Sequence, residues 1–421
     1  MKYTIPFWSA VLINVNIVVG AGFFLKVQKI STASGSLAPL AWIACGLLLL
    51  PLVNALAQLS QKYPRAGGIY IFSKELLGEG WGVVSGWAYY LGTAAANALL
   101  LHAFCEMVLK IAVVHQFVTH HGITPAGCDT LIVIIFTLLN LCNIEFLERT
   151  QIFFTLLKLA PVVALISAVP LLFSTTNVMD AGMNVGGMVA SLPNVFFAFI
   201  GIEACCSIMD KIENSKKNAS RLIFTSFTII VVLYALLQTM VLGIHGQHDL
   251  DPFMSLPGLL FSNPALINWA SNAIHIGLLA SFLAGFYGMF YFNNWNLHTM
   301  AHELGFKQIR FLTTTNRYQV PWVAVLFQST LILSFLLLVA QSDYITAMSD
   351  VGTAIAYLLS AIAFFAMTRS VAGVLGMLSC GVLLYLLCGG LLQSGLWTTV
   401  PFVALIMAAV ALWAVLRKAK L

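Results

Sequence analysis

Long apolar runs with almost no interruption decide most of what this chain can fold into. A backbone that crosses a bilayer has to satisfy its own N–H and C=O groups, which leaves only helices or closed barrels. Barrel strands alternate polar and apolar residues over about ten positions. The runs here do not alternate, so the expected class is an all-α polytopic membrane protein. Composition agrees, with 60% hydrophobic residues, 8% charged residues and a mean hydropathy of +0.94, values foreign to a water-soluble domain. At roughly 20 apolar residues per crossing, 421 residues accommodate about a dozen spans and no separate soluble domain.

Twelve spans are expected at residues 6–30, 37–60, 81–113, 127–143, 151–173, 190–210, 222–245, 266–292, 321–341, 345–368, 371–393 and 396–416. An even number puts both termini on one side. If that side is the cytoplasm, 16 of the 20 Lys and Arg residues are internal, among them Lys2, Lys62, Arg65, Lys74, Arg149 and Lys211. Lys26, Lys29 and Lys110 lie outside, and Lys158 lies within span 5. The positive-inside rule therefore predicts both termini in the cytoplasm, and the small prokaryotic-style loops suggest a multi-pass protein of the cell inner (plasma) membrane. The net charge of +5 is a topology signal of this kind, and no basic stripe interleaved with aromatics points to nucleic acid. The first apolar run is too long for a cleavable signal peptide and lacks a small-residue cleavage pattern, so it is expected to persist as span 1.

The eight cysteines sit in or beside apolar spans without C-x-x-C spacing and read as small core residues. His115, His120 and His121, with His245 and His248, fall in the two outer loops. Loop histidines without partner carboxylates are usually solvated, so no metal and no cofactor is expected from them. A membrane-embedded enzyme would need a nucleophile with a base, or a metal cluster at helical spacing, and neither H-E-x-x-H nor such a pair occurs. A channel would need a filter sequence or a charged ring, and none is recognisable.

What remains are two places where a helix pattern breaks at membrane depth. Span 1 carries Val19-Gly20-Ala21-Gly22-Phe23-Phe24, and two glycines in three residues weaken a continuous helix. Glycines also serve plain helix packing. Five spans later, span 6 carries Phe199-Ile200-Gly201-Ile202-Glu203, with Pro193 upstream and an ionisable residue near mid-span. Paired breaks at this separation are the signature of inverted-repeat transporters, in which discontinuous helices meet at the midplane. The repeats are expected at residues 1–175 (spans 1–5) and 185–370 (spans 6–10), followed by spans 11 and 12 with the C-terminus at 371–421.

Free N–H groups at Gly20, Ala21 and Gly22 can bind a carboxylate through the positive end of a helix, and carbonyls near Phe199 and Ile200 can accept from an ammonium group. A zwitterion thus finds both partners in the backbone. Phe196, Phe197, Phe199, Phe286, Tyr287 and Phe290 are candidates to cover the substrate, or else are core and lipid contacts.

Several motifs in order carry a resemblance: the break at 19–24, Tyr63-Pro64-Arg65-Ala66-Gly67-Gly68-Ile69-Tyr70, and Gly86-Trp87-Ala88-Tyr89-Tyr90. Thr150-Gln151 through Lys158, the break at 199–203 and Glu213-Asn214-Ser215-Lys216-Lys217-Asn218 follow. In these the chain resembles the amino acid/polyamine/organocation superfamily, most closely its bacterial basic amino acid and polyamine antiporter branch, over about residues 10–370. The resemblance implies a leucine-transporter-like fold with discontinuous helices 1 and 6. It implies a substrate site at Val19, Gly20, Ala21, Gly22, Asn97, Phe197, Ile200 and Gly201, with Phe197 as an aromatic gate. Glu203 falls where the branch has an acidic residue linked to the inner gate, and Tyr287 is a further gating candidate. Two departures stand out. Leu297-His298-Thr299-Met300-Ala301-His302-Glu303-Leu304 replaces an Arg and an Ala-Asn/Arg-Asp-Gly run, and Ser215 stands in place of a Pro.

Lys158 is a functional candidate because an ionisable residue inside a span is costly. It reads either as a proton carrier or as a strut on the carbonyls of the span 1 break, and the resemblance puts it where sodium-coupled relatives hold an ion, implying sodium independence. Glu203 reads either as a proton-linked gate or as a buried hydrogen-bonded carboxyl. The expected function is secondary transport of amino acids or related amines, as an amino acid/amine antiporter or, alternatively, a proton symporter. The expected partners are that small-molecule substrate and the lipid bilayer, with proton coupling and a homodimer as open alternatives.

Overall fold

The computed structural model describes residues 4–122, 124–247, 251–338, 342–394 and 400–420. Lys2 and His248 lie outside them, as do the side chains of Ala21 and His115. Among the described residues the chain is helical, with three isolated β-bridges and no strand.

In chain order the α-helices are Phe7–Val18 (α1), Ala21–Ser34 (α2), Ala38–Lys62 (α3), Gly68–Leu77 (α4), Glu79–Leu109 (α5) and Ala112–His120 (α6). Pro125–Asn140 (α7), Ile144–Leu172 (α8), Thr175–Asp180 (α9), Val185–Phe199 (α10), Ser215–His245 (α11) and Pro252–Leu260 (α12) follow. The last five are Pro264–Leu304 (α13), Trp322–Leu338 (α14), Ser342–Thr368 (α15), Val371–Ser394 (α16) and Val400–Lys420 (α17). Seven helices among the described residues are long and apolar enough to cross a membrane, and α1 with α2 makes an eighth span bent by 50°. Three shorter apolar helices, Pro125–Asn140, Trp322–Leu337 and Val371–Leu387, add to them.

Helix ends follow capping chemistry more than hydropathy. The Asn143 side chain accepts from Phe146 N at 3.0 Å, and α8 starts at Ile144, ahead of the apolar run expected at 151. Asn184 caps α10 in the same way through Gly187 N at 2.8 Å. Asn263 followed by Pro264 opens α13, whose 41 residues span about 62 Å against about 30 Å of hydrocarbon. The span expected to stop at 292 therefore continues to Leu304, and its last turns extend past the apolar layer. Four short helices, α4, α6, α9 and α12, lie between the apolar runs.

The inner layer is built on α5, which is buried along most of its length and packs on α13 and α15. A Cβ placed on Gly92 would sit 3.1 Å from Gly352 Cα, Ser349 O and Thr353 N, so α5 and α15 touch backbone to backbone. α3 packs on α11, and α8 on α13. The outer faces of α7, α8 and α16 show Leu131, Leu138, Leu156, Val163, Ile166 and Leu378 exposed, which suits lipid as solvent.

Candidate functional site

Both breaks lie at the centre of the bundle and pack against each other. α1 ends at Val18 and α2 begins at Ala21, so the N–H groups of Ala21 and Gly22 stand in the first turn of a helix, where no internal acceptor exists. α10 ends at Phe199, Ile200 turns extended, and Gly201 takes φ +107°, a conformation that strains any residue with a Cβ. Two short 3-10 helices, Ala204–Ser207 and Met209–Lys211, complete the descent. A Cβ on Gly22 would come within 2.6 Å of Ala198 Cα, and one on Gly201 within 3.1 Å of Ile17 Cγ2. Each break thus uses its glycine to admit the other element.

Polar side chains hold this geometry. Lys158 Nζ donates to Asn16 O at 2.9 Å and Val19 O at 2.6 Å, binding two carbonyls freed where α1 stops. The Tyr234 hydroxyl lies 2.8 Å from Val18 O and 3.1 Å from Ala198 O, bridging the first break to the second. Asn14 Nδ2 donates to Ile202 O at 3.0 Å, and Gln151, itself hydrogen-bonded by Asn16, donates to Ala284 O at 2.9 Å. These buried polar groups escape the desolvation penalty because each meets a backbone partner. Tyr234→Phe removes the single O–H donor that these two buried carbonyls share, at about 1–3 kcal/mol. We expect a lower melting temperature in detergent and weaker substrate binding from this variant; an unchanged melting curve would contradict the bridging role.

Between the breaks lies a cavity bordered by Ile17, Gly22, Ala96, Phe197, Ile200 and Met289, with about 20 Å³ of free space, close to what one water fills. Its walls present the positive end of α2 at Gly22 and the negative end of α10 at Ile200, the two poles that suit a carboxylate and an ammonium group. Of the candidates from the sequence, Gly22, Phe197 and Ile200 border this space. Val19, Gly20 and Gly201 belong to the breaks themselves. Asn97 follows Ala96 on α5 and is buried, with neither side-chain polar atom bonded to protein among the described residues.

The other aromatic candidates lie elsewhere. Gly285 and Met289 face the cavity from α13, and Tyr287, two residues from each, points to the opposite side by helical geometry. Its ring packs on Phe136 and its hydroxyl donates to Leu139 O at 3.3 Å, which removes it from the cavity wall. Phe286 and Phe290 pack on each other, with Phe136 also on Phe286; Phe199 packs on Trp42, Phe227 and Tyr234; Phe196 packs on Tyr357. Only Phe197 of the six borders the cavity.

Glu203 is buried just beyond the second break. Its Oε2 accepts from the Tyr357 hydroxyl and from Gly201 N at 3.3 Å, and Tyr89 lies beside it. Tyr234 and Tyr357 are not singled out in the sequence, and Tyr89 figures there only as part of the 86–90 motif, with no role given to it. A tyrosine in an apolar span signals a polar partner, but the partner emerges only from tertiary packing.

On the face of the bundle that carries the N-terminus, an open cavity of about 740 Å³ is lined by Thr4, Asn143, Asp210, Lys211, Trp295 and Arg317, among others. Lys211 Nζ sits 2.9 Å from the centroid of the Trp295 ring. Nearby, the segment that departs from the family pattern ends in an ion cluster: Glu303 pairs with Lys74 and, at 3.8 Å, with Arg65, which also binds Glu75 at 2.7 Å. The end of α13 is thereby tied to α4 and to the 63–67 loop. At the opposite face His120 and His121 are exposed, and among the described residues no group of three or more His, Cys, Asp or Glu side chains is arranged to hold a metal.

Two helix breaks thus present opposite backbone poles to one small cavity, and sequence comparison places the chain among known proteins. The chain is 25% identical over 380 residues to cationic amino acid transporter 3, mitochondrial, of Arabidopsis thaliana, covering 85% of this chain and 61% of that protein. It is 23% identical over 382 residues to the serine/threonine exchanger SteT of Bacillus subtilis, covering 87% and 83%. It is 22% identical over 387 residues to the branched-chain amino acid permease BcaP of the same organism, covering 88% and 82%. The chain spans about three fifths of the length of the Arabidopsis relative and more than four fifths of the two Bacillus ones. It is a multi-pass membrane protein. The profile of the amino acid permease family matches residues 5–416, and the chain belongs to that family, within the amino acid/polyamine/organocation superfamily.

Proposed function

We propose that the protein is a sodium-independent secondary transporter of amino acids or related amines, working by alternating access as an antiporter. The single observation that carries this reading is the pair of facing helix poles at the two breaks, a helix N-terminus at Gly22 and a helix C-terminus at Ile200, on a cavity of about 20 Å³ that has to widen to admit a substrate. The relatives transport serine and threonine, branched-chain or cationic amino acids by their names, which supports an α-amino acid core and leaves the side chain open. Gly20, Ala21 and Gly22 hold the carboxylate, Ile200 and Gly201 the amine, and Phe197 covers the outer side, with Asn97 reading the side chain. Twelve spans in two inverted repeats, with both termini in the cytoplasm, are the topology of this reading, and the 740 Å³ cavity is its cytoplasmic vestibule.

Sodium independence rests on Lys158, whose ammonium already serves the carbonyls of Asn16 and Val19. A second positive charge at that position meets repulsion with few remaining acceptors. A second reading, proton-coupled uptake, is favoured by Glu203, whose Oε1 is buried and finds no protein partner among the described residues.

The test compares reconstituted vesicles preloaded with unlabelled amino acid or amine against empty vesicles under an inward proton gradient. Antiport predicts uptake of label only with preload, and symport predicts accumulation in empty vesicles that is lost when the gradient collapses. Replacing sodium by potassium should leave either rate unchanged. A strict sodium requirement would contradict the role given to Lys158.

A further inference from the structure

α5 and α15 meet along a line that is polar where the rest of their contact is apolar. On α5, Tyr89, Thr93 and Asn97 recur at every fourth residue, and on α15, Asp350, Thr353 and Tyr357 lie on one stripe with Ser349 adjoining. The two helices run antiparallel in a register that brings these stripes together. Tyr89 and Tyr357 both lie at Glu203, and Gly92 abuts Ser349, Gly352 and Thr353. Both polar atoms of Asn97, Ser349 Oγ, Thr353 Oγ1 and Asp350 Oδ1 are all buried without a protein partner among the described residues, and Thr93 lies within reach of the Tyr89 hydroxyl. Buried polar atoms as a class are hydrogen-bonded, and four adjoining residues left unsatisfied mark a place that binds water.

Charge sits at both ends of this seam. At the inner end Glu203 faces Tyr89 from α5, Tyr357 from α15, Gly201 N from its own break and Cys206 from the following 3-10 turn. At the outer end the buried Asp350 carboxyl faces Lys26 of α2, whose ammonium lies 5.8 Å from the Phe197 ring centroid. From Tyr89 to Asn97 the seam rises about 12 Å.

We propose that the α5–α15 seam holds a chain of bound waters connecting Glu203 to Asp350, and that Asp350 is the group through which protons from the outer side reach Glu203. The inference rests on the proton-linked reading of Glu203. A proton from outer water protonates the Asp350 carboxylate. It then passes oxygen to oxygen through the waters held by Asn97, Thr353 and Thr93 to the Glu203 carboxylate, each relay giving up one proton as it takes one. Lys26 beside Asp350 ties the charge of this acid to the outer end of the substrate site, next to Phe197.

Two measurements test it together. Radiolytic hydroxyl-radical footprinting of the wild-type protein, which oxidises side chains next to bound water, should label Tyr89 and Tyr357. It should spare Tyr234, which is equally buried but has both carbonyl partners in place. In reconstituted vesicles, Asp350→Asn and Thr353→Val should lose gradient-driven accumulation and keep exchange against preloaded substrate, with Asp350→Glu restoring accumulation. Tyr89 and Tyr357 as unreactive as Tyr234 would overturn the hydrated seam. Labelled tyrosines with gradient-driven accumulation intact in Asp350→Asn would overturn the path alone. Labelled tyrosines in a wild-type protein that shows no gradient-driven accumulation would overturn the proton-linked reading of Glu203, and the path with it.

Discussion

Lys158→Met is expected to reduce transport by about two orders of magnitude. Two hydrogen bonds from an ammonium to backbone carbonyls are worth about 1.5–3 kcal/mol each, and a loss of about 2.8 kcal/mol already corresponds to a factor of about 100. Those carbonyls, Asn16 O and Val19 O, flank the point where α1 stops, so the loss falls on the conformation of the break. Methionine keeps the length and the apolar stem but supplies no donor, leaving both oxygens buried and unpaired. Arginine should not rescue, because its planar guanidinium cannot occupy the compact position of an ammonium between two carbonyls of one helix end. The check is uptake by purified, monodisperse protein in vesicles, with substrate binding measured in parallel. Wild-type uptake by the methionine variant would remove Lys158 from the account.

Gly22→Val is the second substitution expected to silence the protein. Its Cβ would lie 2.6 Å from Ala198 Cα and 3.0 Å from Ala198 Cβ, and these belong to helix α10, which cannot yield as a flexible side-chain tip would. Overpacking of this kind costs about 1–3 kcal/mol. Here relief requires α2 and α10 to separate, which opens the distance between the two helix poles that are meant to bind one small molecule. Binding should fall by tenfold or more, since about 1.4 kcal/mol corresponds to a factor of ten. Gly186→Ala serves as the comparison, because its Cβ meets only Asn184 Oδ1 at 3.6 Å, and it should behave as wild type.

How much of this was legible in the sequence depends on the kind of residue. Glycine pairs at membrane depth and a lone lysine in an apolar run are conspicuous, and Gly20, Gly22, Gly201 and Lys158 all lie at the two breaks. The strut reading of Lys158 already points to the carbonyls of the span 1 break, but which two accept, Asn16 O and Val19 O, 142 and 139 residues away, is set by packing that no spacing rule reaches. The aromatic candidates show the same limit. Phe197 and Tyr287 look alike in sequence, but the rotation of α13 turns Gly285 and Met289 toward the cavity and Tyr287 toward α7, a register set by packing against α1 and α8. Hydropathy located the apolar middle of each helix and not its ends, because ends are set by Asn143, Asn184 and Asn263, which read as loop residues until their capping bonds are seen. Asp350 escaped notice because it lies near the start of an apolar run, where an acid is unremarkable until Lys26 is found facing it.

The most direct measurement is uptake of a labelled panel of amino acids into sodium-free vesicles carrying either the wild-type protein or Gly22→Val, each preloaded with the same unlabelled compound. The account predicts that at least one amino acid enters saturably through the wild-type protein and that the variant carries it at a tenth of that rate or less. If no member of the panel enters above protein-free vesicles, or if the variant matches the wild type, the site between the two helix breaks is not where this protein holds its substrate.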